Sequence, residues 1–194
     1  MEGYRSIARD KAGKEGSPER KRALAKAKDI RLLLLDVDGV LTNGSLLYSG
    51  SSVESKAFNT QDGFGLRLLR EAGVDVGVIT ARQSEVVARR AEELKMRFIY
   101  QGMPNKNTAF RDIMKISGLS PFEVAYMGDD WLDLVLLQQV GLSIAPANAV
   151  HEVKEAVIFV TERRGGEGAV RDACDLILEA QNRTAELLQQ YQTR

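Results

Sequence analysis

The chain has 194 residues, 44% of them hydrophobic, which suits a single domain with enough length to bury a sizeable core. Lys plus Arg and Asp plus Glu both number 27, and a net charge of zero gives no field that would gather nucleic acid or an anionic membrane. No apolar stretch approaches the roughly 20 residues that span a bilayer, and no apolar segment follows the polar N-terminus, so a cytoplasmic protein is expected.

Residues 1–28 are rich in Lys, Arg, Gly and Glu and poor in large apolar side chains, and read as a flexible leader with at most a short helix at its end. The main domain is expected over residues 29–181. It opens at 30–37 with an apolar run broken only by Arg31 and Asp36, as in a parallel strand buried on both faces. Residues 43–58 place turn residues between two strand-like arms and read as a β-hairpin. Strand-like segments recur at 74–80, 97–100, 124–127, 142–145 and 157–160, with helical patterns at 63–72, 84–95, 106–117 and 131–140 between them. This alternation predicts an α/β fold with a doubly wound parallel sheet and right-handed crossovers. A last helix over 168–190 runs into a polar tail at 182–194. The lone Cys174 excludes an internal disulfide and reads as a helix-face core residue; His151 reads as a surface residue.

Ligands of open α/β sheets sit beyond the carboxyl ends of the strands, and those ends are polar here. The first strand leads into Asp36-Val37-Asp38-Gly39-Val40-Leu41-Thr42, the second into Thr80-Ala81-Arg82, and the fourth into Gly128-Asp129-Asp130-Trp131-Leu132-Asp133; Lys106 opens the helix after the third. Gathered carboxylates repel one another and resist desolvation, so a divalent cation is expected among them. Oxygen donors with no His or Cys nearby point to magnesium. A hard cation, a lysine and a threonine hydroxyl around one carboxylate make a site for a phosphoryl group.

These motifs, in this order, resemble the haloacid dehalogenase superfamily. The resemblance implies that Asp36 is the nucleophile that forms an aspartyl-phosphate, and that Asp38 is the general acid and then the general base. It implies magnesium held by the Asp36 carboxylate, the Asp38 backbone carbonyl and Asp129, phosphoryl oxygens held by Thr80 and Lys106, and Asp130 and Asp133 orienting these groups from behind.

Many members of that superfamily insert a cap domain that selects the substrate, and this chain has no room for one. Within the superfamily, the hairpin, Phe58-Asn59-Thr60-Gln61-Asp62-Gly63-Phe64-Gly65, Tyr100-Gln101-Gly102 before Asn105-Lys106, and Arg164-Gly165-Gly166-Glu167-Gly168-Ala169-Val170-Arg171 resemble the 3-deoxy-D-manno-octulosonate 8-phosphate phosphatases. That resemblance implies a small sugar phosphate as substrate, a role in lipopolysaccharide synthesis and a homotetramer built through the hairpins. It also implies substrate contacts at Asp38, Asn59, Thr60, Gln61, Asp62, Gly63, Arg67, Arg82, Arg90 and Lys106. Sequence alone reads Arg67 and Arg90 as a solvated helix face. Three alternatives stay open: a phosphatase of a nine-carbon ulosonate 9-phosphate, a protein phosphatase, and a scaffold that keeps the fold without turnover. The glycines at 165, 166 and 168 suggest a segment that reaches over a neighbouring subunit's site.

Overall fold

The computed structural model describes residues 16–48 and 54–193. The expectation for residues 1–15 and the tip of the hairpin lie outside the described residues.

The centre of the molecule is β1 (Leu32–Leu35), four consecutive leucines, all buried. Side chains alternate across a strand, so Leu33 and Leu35 enter one core layer and Leu32 and Leu34 the other. That is why an unbroken apolar run is needed here. Five more strands lie parallel to it: β4 (Asp75–Ile79), β5 (Phe98–Tyr100), β6 (Val124–Met127), β7 (Leu142–Ala145) and β8 (Phe159–Val160), in the order β5-β4-β1-β6-β7-β8. The chain leaves β1 towards β4 and β5, then returns to place β6 on the other flank of β1. The reversal opens a crevice at the carboxyl end of β1.

Helices α1 (Pro18–Ala27), α2 (Thr60–Glu71), α3 (Glu85–Glu93), α7 (Ala169–Ala180) and α8 (Thr184–Gln192) contribute buried side chains to one layer. Helices α4 (Lys106–Ser117), α5 (Leu134–Leu137) and α6 (His151–Ala156) fill the other. Cys174 lies fully buried in the first layer, where burial pushes its thiol well above the usual range. His151 is exposed at the start of α6. The hairpin is the antiparallel pair β2 (Leu47–Tyr48) and β3 (Glu54–Ser55). Among the described residues, only this pair and α2 separate β1 from β4, so no cap is present there. No helix among them is long and apolar enough to cross a membrane.

Three expectations need correction. The end of the leader is a packed helix: Ala23 and Ala27 of α1 are buried, and Arg20 pairs with Glu179 of α7. The helix expected over 131–140 begins as a 3-10 turn, Trp131–Asp133, because Asp133 folds back to accept the Asp129 and Asp130 N–H groups at 2.9 and 3.2 Å. The final helix is broken at Asn182, whose φ is +58°, and Gln181 ties the break to the carbonyls of Ala27 and Ile30 at 3.2 and 2.7 Å.

Candidate active site

Asp36, Thr80 and Asp129 follow β1, β4 and β6, three neighbouring strands, so the sheet itself brings them together. Asp36 continues the register of β1, its N–H bonded to the Met127 carbonyl at 2.9 Å. Gly39, with φ of +89°, then turns the chain sharply back, and the turn is held by the Leu41 and Thr42 N–H groups on the Val37 carbonyl.

Lys106 opens α4 and is buried, with its ammonium 2.8 Å from Asp36 Oδ1 and 2.6 Å from Asp133 Oδ1. Its third donor meets the hydroxyl of Tyr126 at 3.1 Å, and that hydroxyl donates to Asp133 Oδ1 at 2.6 Å. Burial is the largest influence on Lys106 and favours its neutral form, but Asp36 and Asp133 outweigh it and hold the ammonium above its ordinary range.

Oxygen atoms of Asp36, Asp129 and Asp133 all lie within 4.8 Å of one another. Three carboxylates against one ammonium leave a net charge of about minus two, the deficit a divalent cation fills. Burial, with Asp133 beside it, pushes Asp36 up to about 6 against the pull of Lys106. Burial and the neighbouring Asp36, Asp133 and Asp130 push Asp129 up to about 7. Among the three, Asp133 is the poorest ligand: Oδ1 already takes Lys106 and Tyr126, and Oδ2 takes two backbone N–H groups. Asp129, and Asp36 beyond its contact with Lys106 at Oδ1, are the better-placed hard-oxygen donors, which fits magnesium. Asp130 caps the 3-10 turn, its side chain accepting from Trp131 N at 2.7 Å.

Asp38 is held at the base of the hairpin. Its Oδ1 pairs with Lys56 and its Oδ2 lies 3.4 Å from Arg82 Nε, while Arg82 also reaches Glu54 at 2.6 Å and the Tyr48 hydroxyl at 3.3 Å. Arg90 lies over the Phe58 ring at 5.7 Å, in space that a side chain at Gly63 would occupy. It lines a groove between α2 and α3 with Thr60, Phe64 and Arg67; Arg67 is exposed and pairs with Glu71 at 3.0 Å.

Not every expected substrate contact is free for that role. Asp62 is buried and its Oδ1 accepts the Arg171 N–H at 2.7 Å, so it caps the start of α7, where Gly168 offers no side chain. Asn59 caps α2 through the Gln61 N–H at 2.7 Å, and the Gln61 side chain accepts from Arg163 at 3.0 Å. The glycine segment is also engaged within its own chain. Gly165 N–H bonds to Asn148 at 2.6 Å, Gly166 N–H bonds to the Val40 carbonyl at 3.0 Å, and Asn148 donates to the Gly39 carbonyl at 2.9 Å. A Cβ on Gly165 would stand 1.8 Å from the Gly39 carbonyl oxygen. The close approach thus buttresses the loop after Asp36.

Sequence reasoning missed Lys56, Tyr126 and Asn148. In the sequence Lys56 falls two residues from both Glu54 and Phe58, the spacing of one face of an extended segment, and a tyrosine inside the Val124–Met127 strand, buried on both faces, needs a partner for its hydroxyl.

Comparison with known proteins agrees with this geometry. Residues 95–171 match the haloacid dehalogenase-like hydrolase family. The chain is 42% identical, over 84% of its length and 87% of the relative's, to the 3-deoxy-D-manno-octulosonate 8-phosphate phosphatase of Escherichia coli. The crystal structure of the same-named enzyme from Yersinia pestis superposes with a TM-score of 0.82 at 40% identity, covering 84% of this chain and 88% of that one. The Moraxella catarrhalis enzyme, in complex with magnesium, phosphate and KDO, superposes with a TM-score of 0.85 at 38% identity, covering 87% and 97%. These relatives, with the carboxylate cluster that could hold a metal, support magnesium as the cofactor, and the chain belongs to the haloacid dehalogenase-like hydrolases, as a phosphatase.

Proposed function

We propose that this enzyme hydrolyses 3-deoxy-D-manno-octulosonate 8-phosphate to the free sugar acid and phosphate, as a cytoplasmic step in lipopolysaccharide synthesis. The observation that carries the chemistry is Lys106, held by Asp133 and Tyr126 with its ammonium 2.8 Å from Asp36. A carboxylate placed so is a nucleophile whose product, a phosphoryl group, arrives beside a fixed cation.

In the first step an Asp36 oxygen bonds to phosphorus and the bond to the sugar oxygen breaks, with a proton from Asp38 going to that oxygen. In the second, water bonds to phosphorus, its proton goes to Asp38, and the Asp36–phosphorus bond breaks. Lys106 and Thr80 hold the phosphoryl oxygens through both. Magnesium, held by Asp36, the Asp38 carbonyl and Asp129, neutralises charge on those oxygens.

Arg82 and Arg90, with Thr60, Gly63 and Arg67 along the groove, are the proposed contacts for the sugar acid, whose carboxylate calls for guanidinium partners. Leu46, Leu47 and Tyr48 are exposed on the hairpin, which supports assembly of a homotetramer there. The net charge of zero favours no nucleic-acid or membrane partner. The test is steady-state hydrolysis, with magnesium, of the eight-carbon 8-phosphate beside a nine-carbon ulosonate 9-phosphate. The eight-carbon substrate should have the higher kcat/KM; the reverse order would overturn the substrate assignment and leave the mechanism standing.

A further inference from the structure

Lys56 follows β3, and its side chain is 1% exposed. Its ammonium pairs with Asp38 Oδ1 and lies 3.4 Å from Glu54 Oε1. On the far side Arg82 reaches the other Asp38 oxygen at 3.4 Å and the same Glu54 oxygen at 2.6 Å. Two cations and two carboxylates alternate around a ring, with Asp38 gripped at both oxygens. Burying an ammonium is unfavourable unless anions meet it, and an apolar side chain would fill this space without that penalty.

We propose that Lys56 is the positioning residue for Asp38: anchored by Glu54, it fixes the carboxylate in the orientation from which protons pass to and from the reacting oxygens. This rests on the reading of Asp38 as the proton-transfer group. Proton transfer requires heavy atoms within about 3 Å, and an Asp side chain left free samples several orientations. Arg82 alone cannot hold it through the cycle. It is 40% exposed and is also the proposed partner of the substrate carboxylate, so its grip loosens as substrate binds. The Lys56 side chain is buried, and among the described residues its ammonium meets the two carboxylates.

The test is kcat/KM, which reports the chain of events up to departure of the leaving group, for full-length enzyme at saturating magnesium. The substrates are substituted phenyl phosphates whose phenols span pKa values of about 5 to 10. A basic leaving group depends on its proton donor and an acidic one does not, so Asp38→Asn should steepen the dependence on leaving-group pKa. Lys56→Met should steepen it in the same sense, losing at least about tenfold more on the most basic phenol than on p-nitrophenol. The inhibition constant of inorganic phosphate should stay within about threefold, and Lys56→Arg should restore most of the loss. Should Lys56→Met not fold, Lys56→Gln carries the same expectation. An equal loss across the series, or a weakened hold on phosphate with an unchanged slope, would make Lys56 a structural or binding group and overturn the proposal. An unchanged slope in Asp38→Asn would overturn the reading of Asp38 itself, which distinguishes the two failures.

Discussion

The backbone of Gly39 stands so close to the carboxylate of Asp129 that a methyl group on it would lie 1.9 Å from Asp129 Oδ2. The turn that presents the nucleophile and the proposed metal ligand from β6 are therefore packed as one unit. Gly39→Ala must displace Asp129 and hold a left-handed φ of +89°, which alone costs about 1–2 kcal/mol. The magnesium concentration for half-maximal activity should rise at least about tenfold. Gly118→Ala, also left-handed but with nothing within 4 Å, isolates the strain and should leave the magnesium requirement unchanged. A Gly39→Ala enzyme with wild-type magnesium dependence would refute this packing.

Asp36→Asn should keep the fold and lose turnover by several orders of magnitude, because an amide does not attack phosphorus. Asp129→Asn should instead weaken magnesium binding most, measured by calorimetry, with activity partly recovered at high magnesium. Activity of Asp36→Asn within tenfold of wild type, in preparations free of other phosphatases, would remove the nucleophile assignment.

Charge in the site makes stability depend on pH when the metal is chelated. Asp36 and Asp129 are raised from 3.8 to about 6 and about 7, so the folded protein retains protons that the unfolded chain has released. Their contribution is fully present below the unfolded value near 4 and is lost as pH rises through the folded values, at up to about 1.4 kcal/mol per pH unit for each group. The melting temperature of chelated protein should fall between about pH 4 and pH 7, and the gap to magnesium-loaded protein should widen. A gap independent of pH would mean that the two carboxylates are not what the cation relieves.

Gly165→Ala would place a methyl 1.8 Å from the Gly39 carbonyl oxygen, inside the same chain. The loop after Asp36 should shift, and kcat/KM should fall by similar factors for a sugar phosphate and for p-nitrophenyl phosphate. A loss confined to the sugar phosphate would return the segment to a lid over remote parts of the substrate.

The parallel sheet was legible because Leu32–Leu35, Val124–Met127 and Leu142–Ala145 are short, largely apolar runs buried on both faces, and the strand ends were legible because Asp36, Thr80 and Asp129 interrupt or follow such runs. What escaped depends on tertiary partners. Asp62 reads as a pocket residue until α7 is seen to need its oxygen, and Lys56 reads as a solvated hairpin charge until Asp38 and Glu54 are seen around it. The break at Asn182 is set by Gln181 bonding to carbonyls some 150 residues away in sequence, which no local period encodes.

The burial of Ala23 and Ala27 sets where the enzyme can be shortened. Motif reading would start a minimal enzyme at Asp29, just ahead of β1. That cut would strip α1 from α7, strand Glu179 without Arg20, and leave the Gln181 side chain without the Ala27 carbonyl. The exposed apolar stripe on α7 would make such a protein prone to aggregate, whereas one begun at residue 16 keeps Ser17, whose hydroxyl caps α1 by accepting the Arg20 N–H at 3.1 Å, and should remain soluble.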